Sequence, residues 1–114
     1  MLNEKDKTNI EEVLYAISQI EKYLISIHSI EDLIQNQMVY DAVQMNFILI
    51  GEATKRINED FKITHSQIDW KGMISYRNFV VHEYFGVDVK ILWAVISYEL
   101  PHLKTELHQI LNYK

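Results

Sequence analysis

The chain has no cysteine, one proline and only three glycines in 114 residues. Without cysteine there is no disulfide framework and no thiolate metal site. Such a chain suits a reducing cytosol, and a cytoplasmic location is expected. Scarce proline and glycine favour helices joined by short connections. No apolar run approaches the ~20 residues of a membrane span. The longest uncharged stretch, Ala42 to Gly51, contains Gln44 and Asn46. The N-terminal residues MLNEKDKTNI lack the apolar segment of a secretory signal. A basic excess is missing as well. The net charge is −5, whereas a general nucleic-acid binder carries a basic face. Affinity for RNA would have to come from a local cationic patch or from a partner. There is no glycine-rich phosphate loop and no nucleophile elbow. The histidines His28, His65, His82, His102 and His108 form no H-x3-H pair. Glu99-x-x-His102 has di-iron spacing, but such sites need two of these motifs, and Pro101 interrupts this one. No metal and no cofactor is expected.

What remains is apolar residues at helical spacing. The length fits a single domain spanning residues 1–114 with a real core. Thr8-x-x-Glu11 reads as a capping box. Ile10, Val13, Leu14, Ile17, Ile20, Leu24 and Ile27 then predict a long helix ending near His28. Ser29 caps a short segment, Ile30 to Gln35. A second long helix over Gln37–Asn58 is apolar on most sides and should lie centrally. Within it Gly51 costs helix stability, roughly 1 kcal/mol against alanine, and would let another backbone approach closely. Glu59 to Ile68 reads as a loop. Asp69 caps the next helix, which Gly86 ends. Asp88 caps a last helix through Ile91, Leu92, Val95, Ile96, Leu100, Leu103, Leu107 and Ile110, with a kink at Pro101. The expected fold is an all-α, antiparallel bundle of four main helices.

The chemistry concentrates in Trp70 to Asp88, WKGMISYRNFVVHEYFGVD. At about 100° per residue, Met73, Ile74, Val80, Val81 and Tyr84 fall within about 60° of Arg77. A guanidinium amid an apolar arc must be paired or must face a shared interior. Arg77 suits phosphate recognition; the ordinary alternative is an ion pair with Glu52 or another acid. His82 suits proton transfer, because histidine titrates near neutrality. Its ordinary alternative is a helix-end histidine bonded to a backbone carbonyl. Asn78 can orient a phosphate or the histidine, or simply satisfy interface backbone. Glu52 precedes Arg56 by four residues, which supports a simple helix ion pair. Arg77 and His82 lie about 140° apart on one helix. They converge only if the helix breaks near Gly86 or if two copies meet. Tyr15, Tyr23, Trp93 and Tyr98 read as core or interface residues.

The string Arg77-Asn78-x-x-x-His82-x-Tyr84 resembles the R-x4-H-x-Y motif of the HepT-like branch of the HEPN superfamily. Gly51-Glu52-Ala53-Thr54-Lys55, Ile68-Asp69-Trp70 and Phe85-Gly86-Val87-Asp88 agree with it, so the resemblance spans roughly residues 38 to 101. It implies a HEPN-like bundle that pairs two motifs in a homodimer. It implies a toxin of a toxin–antitoxin pair that cleaves RNA without a metal. Arg77 and His82 would be catalytic, with Asn78 in support and Glu52 as a secondary supporting acid. The partner would be an MNT-type nucleotidyltransferase antitoxin that attaches AMP to Tyr84. Two other classes remain open at this point: a non-catalytic subunit presenting nucleotide or RNA to the nucleotidyltransferase, and a purely structural helical dimer. Polar residues set into an apolar face speak against the last.

Overall fold

The computed structural model describes residues 2–111. Asn3 starts α1 (Glu4–Tyr23). Its side chain accepts the Asp6 amide at 2.7 Å, and Glu4 and Asp6 add acidic charge to the positive end of the helix. The helix therefore begins ahead of the expected Thr8 capping box, which lies inside it. It also ends short of His28. Past Tyr23 the chain tightens into turns, and Asp32 accepts the His28 amide at 2.8 Å. Ile27 is buried from within this connection. Ser29 caps α2 (Ile30–Ile34) as expected.

The central helix is α3 (Gln37–Lys55). It stops before Asn58, because Asn58 caps another helix. The Asn58 side chain accepts the Asp60 amide at 2.8 Å, while its own amide donates to Asp6 at 2.9 Å. The stretch expected as a loop thus contains α4 (Glu59–Thr64) and buries Phe61. Asp69 caps α5 (Trp70–His82). This helix ends at His82, and the predicted cap at Gly86 is not its terminus. Instead Tyr84–Gly86 forms a separate 3-10 turn. Asp88 caps α6 (Val89–Ala94), which continues through a π turn, Val95–Glu99, into α7 (Leu100–Leu111). Where a kink is expected at Pro101, the helix carries a π turn just before it. Pro101 has no N–H to give and would crowd the preceding turn, so the helix widens there and the Leu100 amide reaches Val95.

There is no strand among the described residues. The all-α bundle expected from the pattern is what forms, consistent with the HEPN-like architecture that the resemblance implies. Its four main rods are α1, α3, α5 and the α6–α7 pair. α3 packs along both α1 and α5, while α7 lies on α1. Ile10, Ile17, Ile20, Leu33, Val43, Ile50, Leu92 and Leu107 are sealed between them. Each such side chain contributes roughly 1.5–3 kcal/mol.

Gly51 sets how closely α3 meets α5. A Cβ there would overlap the Arg77 Cβ and lie 2.6 Å from Arg77 Cγ and 3.2 Å from the Met73 carbonyl oxygen. Gly51→Ala gains helix propensity, about 1 kcal/mol, but loses more by overpacking, about 1–3 kcal/mol. The expected outcome is a fall of roughly 5 °C in Tm, read by circular dichroism. An unchanged or higher Tm would show that the two helices separate without penalty.

Candidate active site

Arg77 lays its stem across Gly51 and carries its guanidinium to the rim of the α3–α5 seam. There Nη2 pairs with the Glu52 carboxylate, with side chains 23% and 34% exposed. Nη1 donates to Asn78 Oδ1 at 2.8 Å. Nε is buried with no hydrogen-bond partner among the described residues. The pairing with Glu52 depends on where Arg56 goes. Arg56 reaches across to α1, meeting Glu12 at 2.9 Å and Asn9 at 3.1 Å. The simple Glu52–Arg56 helix pair therefore does not form. A tertiary contact takes Arg56 away and leaves Glu52 to Arg77. The structure brings together Arg77, Asn78 and Glu52.

It does not bring His82 to them within one chain. Arg77 and His82 sit on the same unbroken helix, five residues apart and so about 140° around its axis. The break in the helix comes after His82, too late to redirect it. His82 is exposed, and none of the site's bonds among the described residues involves it.

Tyr84 departs from the expected geometry. A helix continuing to Gly86 would place it over Arg77. Because α5 stops first, the ring swings onto α3. Its hydroxyl donates to the Asp41 carboxylate. Tyr40 packs edge-on at 5.7 Å and donates its own hydroxyl to the Tyr84 carbonyl at 3.2 Å. Partial desolvation of the ring against α3 pushes the Tyr84 phenol well above its ordinary value of 10.0, and the Asp41 bond adds to this. In turn the Tyr84 hydrogen bond holds Asp41 below the usual carboxylate value. The signs bound the pH window. The depressed Asp41 stabilises above its unfolded value, and this is lost as pH falls through the folded one. The raised Tyr84 stabilises below its unfolded value, and this is lost as pH rises through the folded one. The tie thus spans the neutral range. In an alkaline ultraviolet titration, the phenol missing from Tyr84→Phe should be one that ionises later than an ordinary tyrosine. A missing phenol with an ordinary midpoint would contradict this tie.

Nothing in the sequence marks Tyr40 or Asp41, which lie more than forty positions from Tyr84. Their neighbourhood has a visible pattern all the same. Met38, Asp41, Met45, Leu49 and Glu52 recur at helical spacing on α3. Of these, Met38, Met45 and Leu49 are exposed, as are Val81 on α5 and Phe85 in the turn, the last at 98%. An apolar, solvent-facing surface therefore surrounds the polar cluster. Separately, a groove of about 570 Å³ opens between α3, α5 and the α6–α7 rod. It is lined by Phe47, Met73, Tyr76, Phe79 and Leu103 and contains none of the motif residues Arg77, Asn78, His82 or Tyr84. The held guanidinium lies at the rim of the α3–α5 seam, outside this groove. Of the four aromatics expected in core or interface, Tyr23 and Trp93 pack on the core, while Tyr15 and Tyr98 are exposed. His102 pairs with Glu106 at 3.4 Å. No helix of the described residues is long and apolar enough to cross a membrane.

Comparison with known proteins places this chain in a family. The family profile described as ribonuclease HepT-like matches residues 13–110. A probable ribonuclease HepT of Thermococcus cleftensis is 36% identical over 104 residues, covering 91% of this chain and 94% of that protein. A candidate RNase of Methanocaldococcus jannaschii is 37% identical over 76 residues, covering 67% of this chain and 70% of the relative. A candidate RNase of Caldanaerobacter subterraneus is 35% identical over 84 residues, covering 74% and 75%. No solved structure matches the chain. Its helical bundle and matched length agree: the chain belongs to the ribonuclease HepT-like family.

Proposed function

We propose that this chain is a metal-independent endoribonuclease, the toxin of a toxin–antitoxin pair, acting as a homodimer. The observation that carries the reading is the state of Arg77. It is held across Gly51 and paired by Glu52 and Asn78 at the rim of the α3–α5 seam. A fixed fork of this kind suits phosphate oxygens. His82 is exposed one and a half turns further along the same helix, where it can move protons. One chain does not aim both groups at one phosphate. A second copy, docked on the apolar surface of Met45, Leu49 and Val81, supplies the missing half.

In this reading the RNA 2′-hydroxyl attacks the adjacent phosphorus and the bond to the 5′-oxygen breaks. His82 takes the hydroxyl proton or protonates the leaving oxygen, and Arg77 stabilises the charge that builds on phosphate. Glu52 and Asn78 hold the guanidinium. The nucleophile belongs to the RNA, so no protein nucleophile is required. Tyr84 is the residue that an MNT-type nucleotidyltransferase antitoxin modifies with AMP. That role predicts a mass gain on co-expression which Tyr84→Phe abolishes. The net charge of −5 favours one other reading, a non-catalytic subunit that presents RNA or nucleotide to the nucleotidyltransferase.

Purified protein decides between them. It should cleave RNA to fragments ending in 2′,3′-cyclic phosphate and 5′-hydroxyl, at the same rate with and without EDTA. Loss of cleavage on chelation, restored by a divalent ion, would refute the mechanism. Binding without cleavage by the unmodified dimer would favour the non-catalytic subunit.

A further inference from the structure

The turn after His82 is held in an unusual way. No residue of Tyr84–Gly86 is buried, so packing alone does not fix it. Two ties from α3 do. The Tyr84 hydroxyl donates to Asp41, and the Tyr40 hydroxyl donates to the Tyr84 carbonyl at 3.2 Å. Tyr40 is itself anchored. Gln44, fully buried on the next turn of α3, donates Nε2 to the Tyr40 oxygen at 3.3 Å. The Gln44 carbonyl oxygen accepts from the Tyr76 hydroxyl at 3.4 Å. The direction of this chain is self-consistent. With Gln44 donating to it, the Tyr40 hydroxyl keeps its proton for Tyr84. Flipping the amide would draw that proton to Gln44 and leave the Tyr84 carbonyl without it.

We propose that Tyr40 and Asp41 are positioning residues which latch the Tyr84–Gly86 turn to α3, hold the end of α5 with His82 in its working place, and let go when Tyr84 is esterified by a phosphate. The proposal rests on reading His82 as the proton-transfer group and Tyr84 as the modified residue. The frayed end of a helix is its weakest part, since its last carbonyls lack partners within the helix. His82 is the last residue of α5. A pinned turn directly after it keeps that end from opening.

Modification undoes the latch by simple chemistry. In nucleotidyl transfer from a nucleoside triphosphate, the Tyr84 oxygen bonds to the α-phosphorus. The bond to pyrophosphate breaks, and the phenolic proton leaves to solvent. The hydroxyl donor that Asp41 accepted is gone. An anionic phosphodiester now faces the Asp41 carboxylate, and like charges repel. The ring must move off α3. Silencing then acts on the position of His82 as well as on access to the site.

Hydrogen exchange at the Glu83 and Gly86 amides tests the latch. Their hydrogen bonds, to the Phe79 and Glu83 carbonyls, close the end of α5 and the turn. Tyr40→Phe should speed their exchange at least tenfold while leaving the amides of α1 unchanged. With the anionic analogue p-carboxymethyl-phenylalanine in place of Tyr84, the same two amides should also speed up. Asp41→Asn, on the exposed side of α3, should suppress that acceleration. Mere loss of the tyrosine would not be reversed in this way. For cleavage, Tyr40→Phe should lower kcat about tenfold with KM unchanged. The latch is overturned if Tyr40→Phe leaves both amides as slow as in the wild type. It is equally overturned if the anionic analogue opens the turn as much with Asn as with Asp at position 41. The exchange readout needs no RNA. A wild-type protein that fails to cleave would therefore defeat the functional reading and leave the latch to be judged by exchange.

Discussion

His82→Ala should lower the rate of RNA cleavage by about 10²–10⁴-fold, the usual contribution of a positioned general acid or base. The prediction is clean because His82 is exposed and makes none of the site's described bonds. Removing an exposed side chain outside such contacts changes stability by no more than about 0.5 kcal/mol. Helical circular dichroism and Tm should therefore stay near wild type while activity disappears. Arg77→Ala should be as damaging to cleavage, but for a mixed reason. It removes a phosphate ligand, and it also strips Glu52 of its partner. Leaving a half-buried carboxylate unpaired costs on the order of 1 kcal/mol. Arg77→Lys separates the two effects. It retains a charge for Glu52 but loses the planar fork, so it should fold like wild type and cleave poorly. A His82→Ala protein that cleaves at the wild-type rate would remove proton transfer from this residue altogether.

The parts of this molecule legible in the sequence are those set by local chemistry. Ser29, Asp69 and Asp88 announce helix starts because a short oxygen-bearing side chain satisfies amides only two or three residues on. Gly51 inside an apolar helix announces a close approach, and Arg77 is what approaches. The all-α bundle follows from helical spacing sustained over long stretches. The departures have a common cause. Asn3 and Asn58 also cap helices, but their pattern competes with Thr8 and with a helix that looks uninterrupted. At six residues, α4 is too short to show a period. Arg56 obeys a contact 44 positions away in preference to the acid four positions away. Tyr84 faces another way than a helix running on to Gly86 would turn it. An error of a few residues in a boundary rotates every later side chain, and here it separates Tyr84 from Arg77 and gives it to Asp41.

That same geometry supports a stronger test of the composite site. Arg77 and His82 face directions about 140° apart on one rigid helix. If both act on one phosphate, they must come from different copies. Mixing the two inactive variants then restores function. Consider Arg77→Ala and His82→Ala chains unfolded together and refolded, or co-expressed with different tags. Random pairing makes half the dimers mixed, and each mixed dimer has one intact Arg77–His82 pair of a possible two. The mixture should recover about a quarter of wild-type activity, and purified mixed dimers about half. The parent variants stay inactive because every pair in them lacks one member. If the two residues act from the same chain, no mixed dimer has an intact site and the mixture remains dead. Native mass spectrometry verifies that mixed dimers formed, so silence in their presence has one meaning. A protein that remains monomeric at micromolar concentration would rule out the composite site before any mixing. Its exposed Met45, Leu49 and Val81 would then cover nothing, and the second copy that completes the site would be absent.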